Sequence, residues 1–441
     1  MTQPLLLLSI PNLRENDVAA MPRLRELTAG GEIADLRPSF PAVTCPVQAN
    51  MTTGRLPREH GVVANGFYWR ERRHPEMWTA PNDCIEKPQI WDVLSHAHDG
   101  NSAVWFPLHS KGCEADYVCT PAPIHNPDGT ESLWCYTRPV ELYGTLRDTL
   151  GHFPLKHYWG PLAGIESSRW IADSALFAAR QWRPDFFYIY LQTLDYAAQK
   201  TGPESEASQQ AVQDLDAVLG KLADGMHEAY GQRPLWVIAG EYAITPVRDV
   251  VYPNRLLREA GLLAVREEDG LETIDFEASR AWALVDHQMA HVFVAEADEQ
   301  VTRRAADLLR GAAGVDEVLV GDERVRYAMD HPRSGEAVVI CQPNAWAAYY
   351  WWLDDARAPA FARQVDIHRK PGYDPVELHF DPATKSIPLD ASLVKGSHGA
   401  PVRDRSQATV VVASEPLKLP AGPMADTQVF NIVMRHFGLQ G

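Results

Sequence analysis

Short apolar runs with almost no polar alternation are the feature that most limits how this chain folds. A strand with one solvated face alternates polar and apolar residues, whereas a strand covered on both faces does not. The runs are Leu5–Ile10, Phe186–Leu191, Leu235–Ala239, His291–Val294 and Thr409–Ala413. Helical periodicity lies between them, at Trp170–Arg180 and Ser205–Tyr230. The pattern predicts an α/β protein in which helices cover a mainly parallel central sheet.

Residues 296–353 depart from this pattern and are predicted to form a small α+β insertion. One helix and three apolar stretches are expected there, at Val301–Leu309, Val315–Val320, Gly335–Cys341 and Trp346–Leu353. Residues 1–295 and 354–441 would then form the α/β core. Residues 105–139 are rich in proline, cysteine and aromatic side chains. We expect them to form an ordered excursion over the edge of the sheet.

The formal net charge is −17, from 41 Lys and Arg against 58 Asp and Glu. An acidic surface repels a polyphosphate backbone, so a nucleic-acid polymer is not expected as a partner. A small anion needs only a local cation or a helix N-terminus. The six cysteines show no Cys-x-x-Cys spacing, which indicates free thiols. Since no apolar run is long enough to cross a bilayer, we expect a cytoplasmic protein without a membrane segment; whether it forms a homo-oligomer is left open.

The most informative segment places a threonine at a predicted helix start. Thr44 is expected to be the N-cap, Pro46 lies in the first turn, and Gly54 is a suitable stop. A hydroxyl at this position faces unpaired backbone N–H groups and the positive end of the helix dipole. That setting favours an alkoxide and a bound phosphate. A threonine that only caps the helix explains the same pattern.

The run Phe-Pro-Ala-Val-Thr-Cys-Pro, followed by Thr-Gly and by His-Gly-Val-Val-Ala-Asn, carries a family resemblance. It resembles the nucleophile segment of the type I phosphodiesterase/nucleotide pyrophosphatase family, a branch of the alkaline phosphatase superfamily. The resemblance implies an alkaline phosphatase-like α/β/α sandwich. It also implies that Thr44 attacks phosphorus and that Asn65 holds a phosphoryl oxygen. The family uses two zinc ions, which polarise the phosphoryl group and stabilise the leaving oxygen.

Three side chains match family metal ligands in kind. Asp195 follows the run Phe186–Leu191, Glu241 stands where the family has aspartate, and His398 lies in a Gly-Ser-His-Gly segment. The resemblance therefore implies a divalent metal held by these three residues. Zinc is the first candidate, manganese and magnesium are alternatives, and fewer than two full sites are expected.

Three other ligand positions of the family are occupied by unsuitable residues. Pro11 stands at the position of an aspartate and has no ligand atom in its side chain. Gln199 replaces a histidine and offers only one neutral oxygen. Tyr242 also replaces a histidine and is a much rarer ligand. Gln199 and Tyr242 remain secondary candidates, and the chain resembles a divergent family member.

Two further clusters could compensate for the lost ligands. His287 and His291 are four residues apart, so they share a face on either a helix or a strand, and they are secondary metal candidates. His368, Arg369 and Lys370 are candidate substrate-binding residues, since two adjacent cations suit an anion. Ordinary packing and surface roles are the alternative for both clusters.

These observations favour one function and leave two others open. The favoured function is an enzyme, a metal-dependent hydrolase of a phosphodiester, pyrophosphate or related phosphoryl bond. Its substrate would be a small phosphorylated metabolite or a nucleotide-like molecule, and Thr44 would be its nucleophile. The first alternative is an enzyme of the same fold with altered chemistry on a specialised metabolite. The second is a non-catalytic binding protein that has lost the two-zinc site.

Overall fold

A central nine-stranded sheet organises the computed structural model, which describes residues 2–97, 100–125 and 131–440. The strands of the two main sheets are β1 (Leu5–Ser9), β2 (Glu32–Arg37), β3 (Ser102–Trp105), β4 (Tyr117–Pro121), β5 (Cys135–Arg138), β6 (Phe186–Tyr190), β7 (Leu235–Ala239), β8 (Ala281–Asp286), β9 (Met289–Val294), β10 (Val315–Val320), β11 (Ala337–Cys341), β12 (Thr409–Ala413) and β13 (Met424–Ala425). The α-helices are α1 (Glu15–Ala20), α2 (Pro22–Leu27), α3 (Thr44–Thr53), α4 (Pro57–His60), α5 (Ile90–Ala97), α6 (Leu142–Leu150), α7 (Ile165–Trp182), α8 (Thr193–Thr201), α9 (Glu206–Tyr230), α10 (Pro253–Glu259), α11 (Glu299–Arg310) and α12 (Gln428–His436).

The central sheet has the order β13-β2-β12-β7-β1-β6-β3-β4-β5. Its middle strands are parallel, with β1 paired to both β6 and β7. The strand β12 is antiparallel to both of its neighbours, although it was expected to be parallel like the other apolar runs. All five of its residues are buried, and it is burial on both faces, not strand direction, that produces an unbroken apolar run. The sheet is therefore mainly parallel, as predicted.

Helices cover both faces of this sheet. Leu6 and Leu8 of β1 pack in one apolar cluster with residues of α7 and α9. Leu5 and Leu7 of the same strand point the other way and pack with residues of α3, α5 and α12. Successive side chains of a strand alternate between faces, so an all-leucine strand fills two cores at once. The α/β/α sandwich expected from the sequence is confirmed.

A second sheet of four strands has the order β8-β9-β11-β10 and is antiparallel throughout. The helix and the strands predicted at Val301–Leu309, Val315–Val320 and Gly335–Cys341 are present in it as α11, β10 and β11. The run His291–Val294 belongs to this sheet and not to the central one, which corrects the first interpretation. Its residues are buried on both faces, as in a central strand, so the pattern could not separate the two sheets. The boundaries 296–353 stay a prediction, and β8 and β9 favour an earlier start.

Two other stretches differ from the expectation. Residues 105–139 contribute β4 and β5 to the edge of the central sheet, so this part is more than an excursion over it; residues 126–130 lie outside the described residues. Within Trp346–Leu353, only Ala345–Ala347 forms a strand, and the aromatic residues that follow are buried in irregular backbone. All six cysteines are buried and free, as predicted.

Helices of the described ranges were also compared with the length and apolarity that a bilayer requires. None of them is both long and apolar enough to cross a membrane.

Candidate active site

Three neighbouring parallel strands, β6, β1 and β7, end at the same edge of the central sheet. The segments that follow them carry Asp195, Asn12 and Glu241. Ligands of open α/β sheets bind at the carboxyl ends of the strands, where such loops meet. The site described below lies at this edge.

Thr44 is the first residue of α3 and is buried, with 4% of its surface exposed. Val43 has extended backbone angles and is the N-cap, so Thr44 is not the cap that its sequence position suggested. Gly54 ends the helix in a left-handed conformation with φ of 67°, as predicted. Because the side chain of Thr44 is not needed as a cap, its hydroxyl is available to the site. It lies 2.9 Å from the phenolic oxygen of Tyr242.

Asp195 and Gln199 lie one turn apart on α8, so their side chains share a face of that helix. The phenol of Tyr242 donates a hydrogen bond to Asp195 Oδ2, over 3.3 Å. Burial raises the pKa of Asp195 to about 7, although the hydrogen bonds from Gln199 and Tyr242 lower it. The oxygen of Gln199 accepts a hydrogen bond from Tyr373, a residue for which the sequence gave no signal.

Glu241 is fully buried at the end of β7 and is held by two hydrogen bonds. Its Oε1 accepts from the hydroxyl of Ser9 at 2.5 Å and from the amide of Gln48 at 2.7 Å. Its Oε2 has no hydrogen-bond partner among the described residues. Burial raises the pKa of Glu241 to about 8, and the nearby charge of Asp195 raises it further. The sequence did not single out Ser9 or Gln48, because neither residue type is a usual ligand or nucleophile in this pattern.

His398 packs face to face against Tyr242, with ring centroids 3.5 Å apart and an interplanar angle of 5°. Its Nδ1 lies 2.8 Å from the carbonyl oxygen of Ala42, which can only accept, so Nδ1 carries the hydrogen. Its Nε2 then has a lone pair, and it has no partner among the described residues. The ring of His287 lies on His398 and on Tyr373, at centroid distances of 3.8 and 3.7 Å. Burial lowers the pKa of both histidines.

Asn65 joins the start of α3 to the second sheet. Its Oδ1 accepts the backbone N–H of Cys45 at 2.8 Å. Its Nδ2 and its backbone N–H both donate to the carboxylate of Asp286, at 2.9 and 2.7 Å. Asp286 also lies 2.6 Å from Nδ1 of His287, and burial raises the pKa of this carboxyl to about 6. The sequence placed Asp286 beside two candidate histidines, but its contact with Asn65 spans 221 positions and left no local signal.

The other candidate residues do not contact this group. His291 lies between the carbonyl oxygen of Val63 and the backbone N–H of Gly335, where it joins neighbouring segments. Arg369 is largely exposed and pairs with Asp366. Lys370 is fully buried and forms ion pairs elsewhere, with the carboxylates of Asp374 and Glu377. His368 has intermediate exposure in the same segment. The cluster 368–370 therefore does not form an exposed anion clamp in this structure.

The residues present fit a metal centre poorly. Glu241 Oε2 and His398 Nε2 have the character of ligand atoms, since both are buried and without a hydrogen-bond partner. Asp195, in contrast, is bonded to the phenol of Tyr242. In the ranges that the structure describes, no group of three or more His, Cys, Asp or Glu side chains is placed to hold a metal ion. The metal set Asp195, Glu241 and His398 stays a prediction, and we derive no chemical step through a metal.

We expect the stability of the wild-type protein to fall with rising pH relative to a Glu241→Gln variant. The folded state raises the pKa of Glu241 from 4.5 to about 8, so it holds this proton more tightly than the unfolded chain does. The resulting stability is complete below the unfolded pKa and is lost as the pH rises through the folded pKa. Between about pH 5 and about pH 8.5, the wild type should lose on the order of 3 kcal/mol relative to the variant. Urea unfolding at several pH values measures this difference.

Glutamine keeps the acceptor oxygen that Ser9 and Gln48 use, so the comparison isolates ionisation. Glu204→Gln is the control, because that side chain is 75% exposed. A difference between wild type and Glu241→Gln that stays constant with pH would contradict the prediction.

Comparisons with known proteins place this arrangement in a family. Residues 5–374 match the family model described as type I phosphodiesterase / nucleotide pyrophosphatase. A venom phosphodiesterase from Crotalus durissus collilineatus is 24% identical over 230 residues, which are 51% of this chain and 24% of that protein. Ectonucleotide pyrophosphatase/phosphodiesterase family member 1 from Homo sapiens is 23% identical over 239 residues, 52% of this chain and 22% of the other. The chain thus spans about a quarter of the length of these relatives.

Two solved structures share the fold over nearly the whole chain. A phosphonoacetate hydrolase from Sinorhizobium meliloti 1021, in complex with phosphonoformate, superposes with a TM-score of 0.64 at 17% identity. Murine ectonucleotide pyrophosphatase / phosphodiesterase 5 gives a TM-score of 0.61 at 13% identity. Each match covers 99% of this chain and 96% of the other. The matched family model and the shared fold agree with the motifs around Thr44, and the chain belongs to the type I phosphodiesterase/nucleotide pyrophosphatase family of the alkaline phosphatase superfamily.

Proposed function

We propose that this protein hydrolyses a phosphodiester or related phosphoryl bond in a small molecule, with the hydroxyl of Thr44 as the nucleophile. Family membership supports the reaction class, since the relatives are named as phosphodiesterases and pyrophosphatases. The observation that carries the proposal is a chain of hydrogen bonds, which runs from Thr44 through Tyr242 to Asp195. A nucleophile bonded to a group that is oriented by a carboxylate is the usual arrangement for covalent catalysis.

The chain of hydrogen bonds gives the threonine proton a route away from the attacking oxygen. The phenol of Tyr242 donates to Asp195, so its oxygen is free to accept the proton of Thr44. As Thr44 Oγ1 forms its bond to phosphorus, this proton moves to Tyr242, and the phenolic proton moves to Asp195. The bond between phosphorus and the leaving oxygen breaks, and the leaving oxygen takes a proton from water or from Asp195. A water molecule then hydrolyses the phosphothreonine and restores the hydroxyl.

Asn65 is positioned to bind the phosphoryl group. Its amide nitrogen has two hydrogens and donates one to Asp286, so the second is available to a phosphoryl oxygen. The helix contributes less than its position suggests. The N–H of Cys45 is taken by Asn65, and Pro46 has no N–H to offer. Asn65 is thus the main donor that we assign to the substrate, and Asp286 holds it in place.

A second function, ligand binding without turnover, is favoured by one observation. The hydroxyl-bearing side chain of Thr44 is 4% exposed, and Tyr242 and His398 beside it are 1% exposed each. A substrate therefore reaches Thr44 only after neighbouring side chains move. A protein that had lost catalysis could keep this closed packing, whereas an enzyme must open it.

Replacing Tyr242 with phenylalanine tests the proposal. The variant loses the hydroxyl but keeps the ring that stacks on His398. Hydrolysis of bis(p-nitrophenyl) phosphate by the variant is expected to be slower than by the wild type by roughly 10²–10⁴-fold, the usual contribution of a positioned proton-transfer group. The initial rate of p-nitrophenol release measures it.

The matched control is Tyr230→Phe, since this hydroxyl bonds to the carbonyl oxygen of Pro184 at the far end of α9. This variant should keep the wild-type rate. A wild-type protein that is inert on diesters and monoesters, but binds phosphate or phosphonate anions, would favour the binding function. An active wild type with an equally active Tyr242→Phe variant would remove Tyr242 from the mechanism.

A further inference from the structure

The phenol of Tyr242 lies between two groups that a cation would otherwise bridge. Its oxygen is 2.9 Å from the hydroxyl of Thr44 and 3.3 Å from Oδ2 of Asp195. The ring is buried and stacked on His398, so the phenol is held in this position. A neutral hydroxyl supplies a hydrogen bond to the carboxylate but no charge.

Gln199 serves Asp195 in the same way. Its amide donates to Asp195, and this hydrogen bond lowers the pKa of the carboxyl. Its oxygen, the only atom that could bind a metal, accepts a hydrogen bond from the phenol of Tyr373. The two residues that replace histidine thus both act as donors to one carboxylate. Neither presents a free ligand atom to a cation.

The segment after β1 is also closed to a metal. Pro11 has no ligand atom, and the side chain of Asn12 is engaged on both sides. Asn12 Nδ2 donates to the carbonyl oxygen of Leu194 at 3.3 Å, and Asn12 Oδ1 accepts the N–H of Ile244 at 2.9 Å. This side chain ties three loops together and has no oxygen left for a second site.

Two ligand atoms nevertheless remain at this edge of the sheet. Oε2 of Glu241 and Nε2 of His398 are buried and have no hydrogen-bond partner among the described residues. Burying such atoms without a partner costs free energy, which a bound cation would recover. The ring of Tyr242 covers one face of His398 and follows Glu241 directly in the chain. The side chain of Tyr242 is therefore what separates these atoms from Asp195.

We propose that Tyr242 excludes a divalent cation from the space beside Thr44, so that neutral hydrogen bonds hold the native site together. The same geometry implies that one substitution restores a metal site. In a Tyr242→His variant, the new imidazole would join Asp195 and His398 as ligands, with Glu241 as the fourth. One carboxylate or two with two imidazoles is a common donor set for zinc. This inference concerns the same site as the proposed function, but it does not depend on turnover.

Zinc binding to the full-length protein tests the inference. Wild type and variants are treated with chelator, dialysed and titrated with zinc chloride in a calorimeter, and the bound metal is measured after a second dialysis. Wild type and Tyr242→Phe should retain well below one equivalent, since both keep the aromatic ring in place. Tyr242→His should bind roughly one zinc per chain, because four ligands then surround one position. The double variant Tyr242→His with Asp195→Asn should bind more weakly by about tenfold or more, which separates this site from surface histidines.

Stoichiometric, tight zinc binding by the wild type that is lost in Asp195→Asn would overturn the inference. So would a folded Tyr242→His variant that binds no more zinc than the wild type. If that variant does not fold, the wild type and Asp195→Asn still decide the first point. The proposed function can fail separately: a metal-free, inactive wild type contradicts the hydrolase proposal only, whereas an active wild type with one zinc at Asp195 contradicts this inference only.

Discussion

Replacing Thr44 with alanine is expected to lower kcat/KM for bis(p-nitrophenyl) phosphate by roughly 10³-fold or more, because the variant lacks the attacking oxygen. The protein should stay folded. Its loss is one hydrogen bond, to Tyr242, worth about 1 kcal/mol. Stopped-assay kinetics together with thermal unfolding separate the loss of chemistry from the loss of structure. Thr44→Ser keeps a hydroxyl at the same atom and should keep measurable activity.

Thr53→Ala is the matched control for this variant. Thr53 lies on the same helix and is equally buried, but its hydroxyl bonds to the carbonyl oxygen of Ala49 within the helix. Turnover by Thr53→Ala should be close to that of the wild type. If Thr44→Ala and Thr53→Ala are equally active, Thr44 is not the nucleophile. Mass spectrometry of acid-quenched wild type gives an independent test, since covalent catalysis adds a phosphoryl group at Thr44 only.

Replacing Lys370 with methionine is expected to destabilise the protein by about 3–5 kcal/mol, the usual cost of removing one partner from a buried ion pair. The ammonium group is fully buried, 2.7 Å from Asp374 and 2.5 Å from Glu377. Both carboxylates are buried as well, so the variant would leave two acidic groups without a cation. The free energy of unfolding in urea measures the effect.

Lys395→Met is the control, since Lys395 is exposed and bonds only to a backbone carbonyl in its own segment, that of Ser392. Its free energy of unfolding should change by less than about 0.5 kcal/mol. Pairing Lys370→Met with Glu377→Gln removes one of the orphaned charges and should restore part of the loss. Equal stability of Lys370→Met and wild type would show that the pair does not hold this segment. The segment also bears on the site, because Tyr373 stacks on His287 and bonds to Gln199.

The fold could be predicted from the chain because burial leaves a local mark. The runs at β1, β6, β7 and β12 predicted strands within one residue of the observed bounds, and α9 begins one residue after its predicted start. Burial does not record which sheet a strand joins. For this reason β9 was placed in the wrong sheet, and the antiparallel direction of β12 was missed.

Part of the site could be predicted for a different reason. The loops that follow adjacent parallel strands must meet at one edge of the sheet, so Asp195 and Glu241 were expected near Thr44, and the structure brings them together. Their partners were not predictable, since Gln199 reaches Tyr373 over 174 positions and Asn65 reaches Asp286 over 221. A hydrogen bond depends on the distance and angle between two atoms, and no spacing in the chain encodes that across the fold.

The sequence alone determined the α/β/α sandwich, the helix that begins beside Thr44 and the residues that replace the family's ligands. The tertiary structure alone decided what those replacements do. It gave Tyr242 and Gln199 the task of donating to Asp195, and it buried Lys370 in an ion pair instead of a clamp for the substrate. Apolar periodicity is a property of neighbouring residues, whereas the environment of a buried polar atom is set by whichever distant segments pack around it.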